Sequence, residues 1–150
     1  MKTVAIGGKF DPIHEGHIDY IRKASKLGDY LYIMVNTDIS VITYSEKKFC
    51  AVPLHSRIII LNGLLLYFNI RGAVITTIDT DGFVAETLRM LKPDIFAKGG
   101  DRTPENMMTN CKKELDVCRE IGCQVVYNVG DMLNSSTAIC VRTGATGPEA

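Results

Sequence analysis

Residues 4–17 read VAIGGKFDPIHEGH, and this stretch decides the fold of the chain. It opens with a short apolar run typical of a buried strand, and the Gly7-Gly8 pair that follows indicates a tight turn. Apolar residues in 18–27 then recur at the spacing of one helix face, and Gly28 provides a helix stop. Strand, turn and helix in this order open a parallel α/β sheet.

The alternation of strands and helices continues along the chain. Strands are predicted at residues 30–35, 73–77, 94–97 and 124–128, and helices at 55–68, 83–91 and 105–121, with 40–54 irregular. The pattern predicts a doubly wound, Rossmann-like sheet of five parallel strands with helices on both faces. In such sheets ligands bind beyond the carboxyl ends of the strands, which here lead into loops 7–17, 36–50, 98–104 and 129–136.

Length and composition set limits on the class of protein. We expect one domain over residues 1–143 and a flexible tail over 144–150, which is rich in Gly, Pro and Thr. The 17 basic and 17 acidic residues balance, so no overall field favours nucleic acid as a partner. No apolar run reaches the ~20 residues of a membrane span, and no signal-peptide pattern is visible, so we expect a cytoplasmic protein.

The five cysteines favour free thiols over a bonded framework. Their number is odd, and the nearest pair, Cys118 and Cys123, does not have the spacing of common zinc sites. We therefore predict no metal site in the protein. A redox or metal module built on these cysteines remains the weaker alternative.

The loop after the first strand has the composition of a phosphate-binding site. Gly7 and Gly8 let the backbone approach a ligand, and a helix that begins near Gly16 directs free N–H groups toward it. His14 and His17 add donors that can be neutral or charged near pH 7. A zinc protease would need its histidines four residues apart, and the dinucleotide motif G-x-G-x-x-G is absent. Two surface histidines in a turn are the remaining alternative.

The motif GGxFDPIHxGH in this setting resembles the H-x-G-H signature of the nucleotidyltransferase superfamily, which includes cytidylyltransferases and adenylyltransferases. The resemblance extends over nearly the whole chain through KLGD at 26–29, VNTD at 35–38, KPD at 92–94, KGGD at 98–101 and SST at 135–137. It implies an enzyme that joins the nucleotidyl group of a nucleoside triphosphate to a phosphorylated small molecule. It also implies Mg²⁺ carried with the nucleotide and a homodimer.

The resemblance assigns roles to individual residues. Catalysis is expected from His14, His17 and Lys47. Substrate binding is expected from Asp38 and Arg57. Nucleotide binding is expected from Gly7, Gly8, Lys9, Phe10, Asp11, Gly16, Lys98, Gly99, Gly100, Asp101, Ser135, Ser136 and Thr137.

The chain departs from the family pattern in the segment that supplies a phosphate-binding lysine. Ile42 and Ser45 stand where lysines are common, and Lys47 and Lys48 lie close enough to substitute for them. Lys9 adds a positive charge at the phosphate loop, where a small residue or cysteine is more usual. Surface lysines without a catalytic role would give the same sequence.

The substrates follow from a more specific resemblance. The KGGD run at 98–101 is similar to the adenylyltransferase that makes ADP-heptose from heptose 1-phosphate, which favours ATP and a sugar phosphate. Alternatives are a CTP-dependent enzyme acting on glycerol 3-phosphate or a phospho-alcohol, transfer to FMN, and a nucleotide-binding module without catalysis.

Overall fold

The structure of the protein, a computed structural model, describes residues 1–100 and 102–130. Its strands are β1 (Thr3–Gly8), β2 (Tyr30–Val35), β3 (Gly72–Thr76), β4 (Ile95–Ala97) and β5 (Gln124–Val126). Its helices are α1 (Glu15–Ser25), α2 (Asp38–Tyr44), α3 (Leu54–Tyr67), α4 (Ala85–Leu91), α5 (Pro104–Asn110) and α6 (Lys112–Ile121).

The five strands form one parallel sheet in the order β3-β2-β1-β4-β5. Ala5 in β1 lies between Tyr32 of β2 and Phe96 of β4. The chain runs outward from β1 through β2 to β3 and then returns to place β4 on the other side of β1. The direction of winding therefore reverses between β1 and β4, which is where doubly wound sheets bind ligands.

Alternate residues of β1 point to opposite faces of the sheet and reach separate cores. Val4 and Ile6 belong to a core that includes α1 and α3. Ala5 belongs to a second core, built with α4, α5 and α6. Helices cover both faces of the sheet, as predicted, and β1 is buried on each side.

Two predictions about individual elements were wrong. Only part of the segment predicted irregular at 40–54 is so: residues 40–44 belong to α2, which Thr37 caps by accepting a hydrogen bond from the Ser40 N–H at 3.2 Å, and 45–53 lie in neither helix nor strand. The single helix predicted at 105–121 is two helices, because Cys111 takes a non-helical φ of −132° between them. The remaining elements differ from prediction by a few residues at their ends.

None of the helices within residues 1–100 and 102–130 is long and apolar enough to cross a membrane.

Strand β3 can lie against β2 only because its first residue is glycine. A Cβ atom at Gly72 would lie 2.2 Å from the backbone oxygen of Leu31, where the strands pair. We expect Gly72→Ala to lower the free energy of unfolding by about 1–3 kcal/mol, because a strand must shift to relieve the clash. Urea denaturation of the purified protein measures this change.

Gly63→Ala is the matched control. Gly63 lies inside α3, and a Cβ atom there would meet no atom within 4 Å. We expect this variant to be more stable than the wild type by about 0.5–1 kcal/mol, because alanine favours the helix. Equal stability changes for the two variants would contradict the close approach of β3 to β2.

Candidate active site

His14 and His17 together cap the first turn of α1. The Gly16 N–H donates to Nδ1 of His14 at 3.0 Å, and the His14 N–H donates to Nδ1 of His17 at 3.3 Å. This arrangement is a reciprocal capping box with imidazole rings as the acceptors. The two rings lie against each other with their centroids 3.8 Å apart.

The capping bonds determine the tautomer of both neutral rings. Each Nδ1 accepts a hydrogen bond, so in the neutral ring the proton must be on Nε2. Burial lowers the pKa of His17 to about 3, with a further contribution from His14, and burial also lowers the pKa of His14. Near neutral pH the pair therefore consists of two uncharged rings that carry their protons on Nε2.

Phe10 supports the histidine pair from inside the protein. Its side chain is buried, and its ring centroid lies 4.9 Å from that of His17. Its backbone has a φ of 52°, in the left-handed region that few large residues adopt. An ideal Cβ atom at Gly8 would lie 3.3 Å from the Phe10 ring, so the ring packs closely over the end of β1.

Asp11 connects the phosphate loop to the segment after α2. Its carboxylate accepts from the N–H groups of Ala51 at 2.8 Å and Val52 at 2.5 Å. It also pairs with Lys47 Nζ at 3.0 Å, with both side chains almost fully buried. Lys47 is therefore brought to the site, as its predicted role requires, but its ammonium is paired with a carboxylate.

Arg57 lies behind the site and is fully buried. Its Nε donates to Val52 O at 2.8 Å, and its Nη1 donates to Lys9 O at 2.7 Å and to Asn36 O at 2.8 Å. Its Nη2 donates to Asp38 Oδ1 at 2.6 Å. Arg57 and Asp38, the predicted substrate-binding pair, are thus joined to each other behind the site, where the guanidinium connects loops of the protein, and their role toward a substrate stays a prediction.

The loops after β4 and β5 pack tightly on each other. The Val129 N–H donates to Lys98 O at 2.9 Å. A Cβ atom at Gly100 would lie 2.9 Å from Gly130 O, so this approach requires glycine. The remaining predicted nucleotide-binding residues Asp101, Ser135, Ser136 and Thr137 lie outside the described residues.

A cavity of about 480 Å³ opens at the carboxyl edge of the sheet. This volume lies in the range of sites for small ligands. Charged side chains of both signs line it, namely Lys9, Asp81, Lys98, Arg102 and Glu114.

Sequence reasoning identified only part of this cavity. Gly7, Gly8, Lys9 and Lys98 were predicted from motifs, whereas Asp81, Arg102 and Glu114 were not. These three residues come from the segment before α4, the loop before α5 and the helix α6, and none belongs to a local motif. Only the topology of the sheet brings them together.

The positive side chains at the edge lie close enough to affect one another. Burial lowers the pKa of Lys9, and the charges of Lys47 and Arg102 lower it further. The fold and the site thus define a Rossmann-like α/β protein with a cavity of charged side chains where the direction of winding reverses.

A family model described as cytidylyltransferase-like matches residues 5–140, and the chain belongs to this family. The family membership confirms the resemblance inferred from the H-x-G-H motif. It also confirms the predicted enzyme class, nucleotidyltransferase.

Relatives of known sequence are longer than this chain. Bifunctional protein HldE of Hahella chejuensis is 36% identical over 107 residues, which are 71% of this chain and 21% of that protein. Bifunctional protein HldE of Desulfatibacillum aliphaticivorans is 28% identical over 145 residues, which are 95% of this chain and 27% of that protein. The chain thus spans about a fifth to a quarter of these relatives.

Solved structures confirm the fold class. A lipopolysaccharide core biosynthesis protein from Thermoplasma volcanium superposes with a TM-score of 0.66 at 24% identity, covering 87% of this chain and 98% of that one. Thermotoga maritima TmcAL, bound with alpha-thio ATP, superposes with a TM-score of 0.68 at 11% identity, covering 96% and 51%. The roles of individual residues toward a nucleotide, and the homodimer, stay predictions.

The lowered pKa of His17 makes the free energy of unfolding depend on pH. The ring stays neutral in the folded protein down to a pKa of about 3, whereas in the unfolded chain it binds a proton below about 6.5. Its contribution to stability is therefore complete above pH 6.5 and is lost as the pH falls from 6.5 toward 3. We expect this group to decrease the free energy of unfolding by up to about 1.4 kcal/mol per pH unit in that range.

Urea denaturation at several pH values, compared between the wild type and His17→Asn, measures this contribution. The pH dependence should be shallower in His17→Asn, because the titrating group is gone while the asparagine oxygen can still accept the capping bond. His55→Asn is the control, since His55 is exposed on α3. A slope in His17→Asn equal to that of the wild type would contradict a buried neutral imidazole.

Proposed function

We propose that the chain transfers the adenylyl group of ATP to a sugar phosphate, such as heptose 1-phosphate, and releases pyrophosphate. The observation that carries this proposal is the pair of neutral Nε2–H donors at the start of α1. Neutral donors can bind a phosphate oxygen and strengthen their bonds as negative charge develops on it in the transition state.

The reaction follows from the charge of the acceptor. An oxygen of the acceptor phosphate attacks the α-phosphorus of ATP, a new P–O bond forms, and the bond from the α-phosphorus to the bridging oxygen of pyrophosphate breaks. The attacking oxygen is already ionised at neutral pH, so no general base is needed. Catalysis then depends on positioning and on stabilisation of charge.

The polar side chains at the carboxyl edge of the sheet have separate roles in the proposed reaction. His14 and His17 donate to the phosphate oxygens of the nucleotide, and the positive end of the α1 dipole adds to the attraction for anions. Lys9 adds positive charge beside the phosphates. Lys47 neutralises Asp11, which prevents a buried carboxylate from repelling the nucleotide.

Magnesium enters this proposal as part of the nucleotide. The described residues contain no group of three His, Cys, Asp or Glu side chains that could hold a metal ion. Mg²⁺ carried by ATP would supply positive charge to the phosphate oxygens. The residues of the chain bind and orient the phosphates.

The choice of ATP and a sugar phosphate is supported by the KGGD run at 98–101 and by sequence similarity to HldE. The cavity beside Gly8 and Lys9 has room for a small phosphorylated molecule. One observation favours a second candidate, a nucleotide-binding module without catalysis: the ammonium of Lys47 is already paired with Asp11.

A pyrophosphate-release screen tests the proposed reaction. The purified protein is incubated with Mg²⁺ and each of four nucleoside triphosphates, crossed with sugar phosphates, glycerol 3-phosphate, phospho-alcohols and FMN. We expect release with ATP and a sugar 1-phosphate. Release only with CTP and a polyol or alcohol phosphate would reassign the substrates. Nucleotide binding by calorimetry without pyrophosphate from any pair would identify the non-catalytic module.

His17→Ala tests the role of the neutral donors. We expect kcat to fall about 10²- to 10³-fold, because one preorganised donor to the transition state is lost. His55→Ala, on the exposed surface of α3, should keep the activity of the wild type. Circular dichroism confirms that each variant is folded. Near-normal pyrophosphate release by a folded His17→Ala protein would contradict the mechanism.

A further inference from the structure

Glu114 is a buried carboxylate in the wall of the cavity. It lies on α6, and only 3% of its surface is exposed. Its Oε2 accepts a hydrogen bond from the Val84 N–H at 3.0 Å, which holds the side chain in place. Its Oε1 is buried and has no hydrogen-bond partner of ordinary geometry among residues 1–100 and 102–130, although the Cys111 thiol lies close enough for Glu114 to raise the pKa of that thiol.

A buried carboxylate oxygen without a donor is unfavourable, so a native structure that keeps one usually has a use for it. The nearest positive charge is Lys98 Nζ, 3.6 Å from Glu114 Oε1. This distance gives electrostatic attraction without a hydrogen bond. The oxygen therefore keeps its capacity to accept a hydrogen bond from a ligand in the cavity.

Among the described residues, the other carboxylate that lines the cavity is Asp81, and its oxygens are already engaged. Asp81 Oδ1 accepts from the Phe83 N–H at 3.1 Å, and Asp81 Oδ2 pairs with Lys113 Nζ at 3.1 Å. A ligand could therefore hydrogen-bond to Glu114 Oε1 without breaking an existing hydrogen bond, whereas binding to Asp81 would compete with Phe83 and Lys113.

The charges around Glu114 decide which kind of donor it accepts. The acceptor phosphate has to lie beside the nucleotide phosphate that it attacks, so the charges of Lys9, Lys98 and Arg102 along the cavity attract both groups. An ammonium group on the ligand would have to share Glu114 with the nearby charge of Lys98. A hydroxyl group donates a hydrogen bond and adds no positive charge, so it suits this position better.

We propose that Glu114 selects the acceptor by accepting, through Oε1, a hydrogen bond from a hydroxyl group of a sugar or polyol phosphate. Amino-alcohol phosphates are disfavoured at the same position. This inference rests on the proposed function, since it concerns the acceptor of that reaction. A buried group that hydrogen-bonds a substrate hydroxyl strongly rejects an analogue that lacks the hydroxyl.

Glu114→Gln removes the acceptor at Oε1 with little change in size. The amide oxygen can still accept from the Val84 N–H, and the amide nitrogen then presents a donor to the cavity. We expect the KM for the sugar phosphate to rise about 10- to 100-fold, as for loss of one hydrogen bond to a charged group. The KM for the nucleotide and the kcat should change less than about threefold on the same grounds.

Asp116→Asn is the matched control. It removes one negative charge from the same helix, at an exposed carboxylate that pairs only with Lys112 among the described residues. Its KM values should equal those of the wild type.

Calorimetry without nucleotide separates this inference from the proposed reaction. A hexose 1-phosphate and ethanolamine phosphate are titrated into the wild type and both variants. Preference of the wild type for the hexose 1-phosphate, lost in Glu114→Gln and kept in Asp116→Asn, supports the role of Glu114 even if no pyrophosphate is released. Turnover with equal acceptor preference in all three proteins would overturn the inference and leave the proposed function standing.

A second measurement uses only the wild-type protein and therefore does not depend on whether the Glu114→Gln variant folds. Monodeoxy hexose 1-phosphates are titrated into the wild-type protein, so the hydroxyl groups are removed from the ligand. Loss of about 10-fold or more in affinity for one deoxy position supports a hydroxyl bound by a charged acceptor. Equal affinities for every deoxy analogue, or no binding of any sugar phosphate, would overturn the proposal.

Discussion

The guanidinium of Arg57 is the interaction on which the geometry of the carboxyl edge depends. Three loops meet at this buried group, through carbonyl oxygens of Lys9, Asn36 and Val52. Asp38 supplies the opposite charge; its burial acts to raise its carboxyl pKa, but hydrogen bonds, that from Arg57 foremost, lower it overall. A buried cation is tolerated only with such partners, so the loops and the charge hold each other in position.

The buried groups beneath the carboxyl edge of the sheet carry no net charge, so they do not repel an anion bound at that edge. Asp11 and Lys47 cancel one another beneath the phosphate loop. Partial burial keeps the two histidines uncharged near neutral pH, and the capping bonds at Nδ1 leave the proton of each neutral ring on Nε2. The protein thus presents uncharged donors at this edge, whereas Lys9 bears a desolvation cost that lowers its pKa.

The sequence predicted the sheet because each strand is a short apolar run with a turn signal after it. It predicted the histidine pair because spacing and glycines are local features. The break between α5 and α6 at Cys111 was missed because no glycine or proline, the residues that commonly end helices, stands there. The ion pair of Asp11 with Lys47 and the position of Glu114 arise from contacts between segments far apart in the chain, which no local pattern encodes.

His14 and His17 each serve the fold as well as the chemistry, because the same rings that would face the nucleotide also cap α1. Selection for a stable helix would therefore favour capping side chains at both positions in a descendant that had lost catalysis, a condition that histidine satisfies. Substitutions that abolish activity would accumulate first at catalytic residues that have no role in stabilising the fold. An intact H-x-G-H motif in a distant relative is thus evidence of shared ancestry and of a shared helix start, and its enzymatic activity has to be established separately.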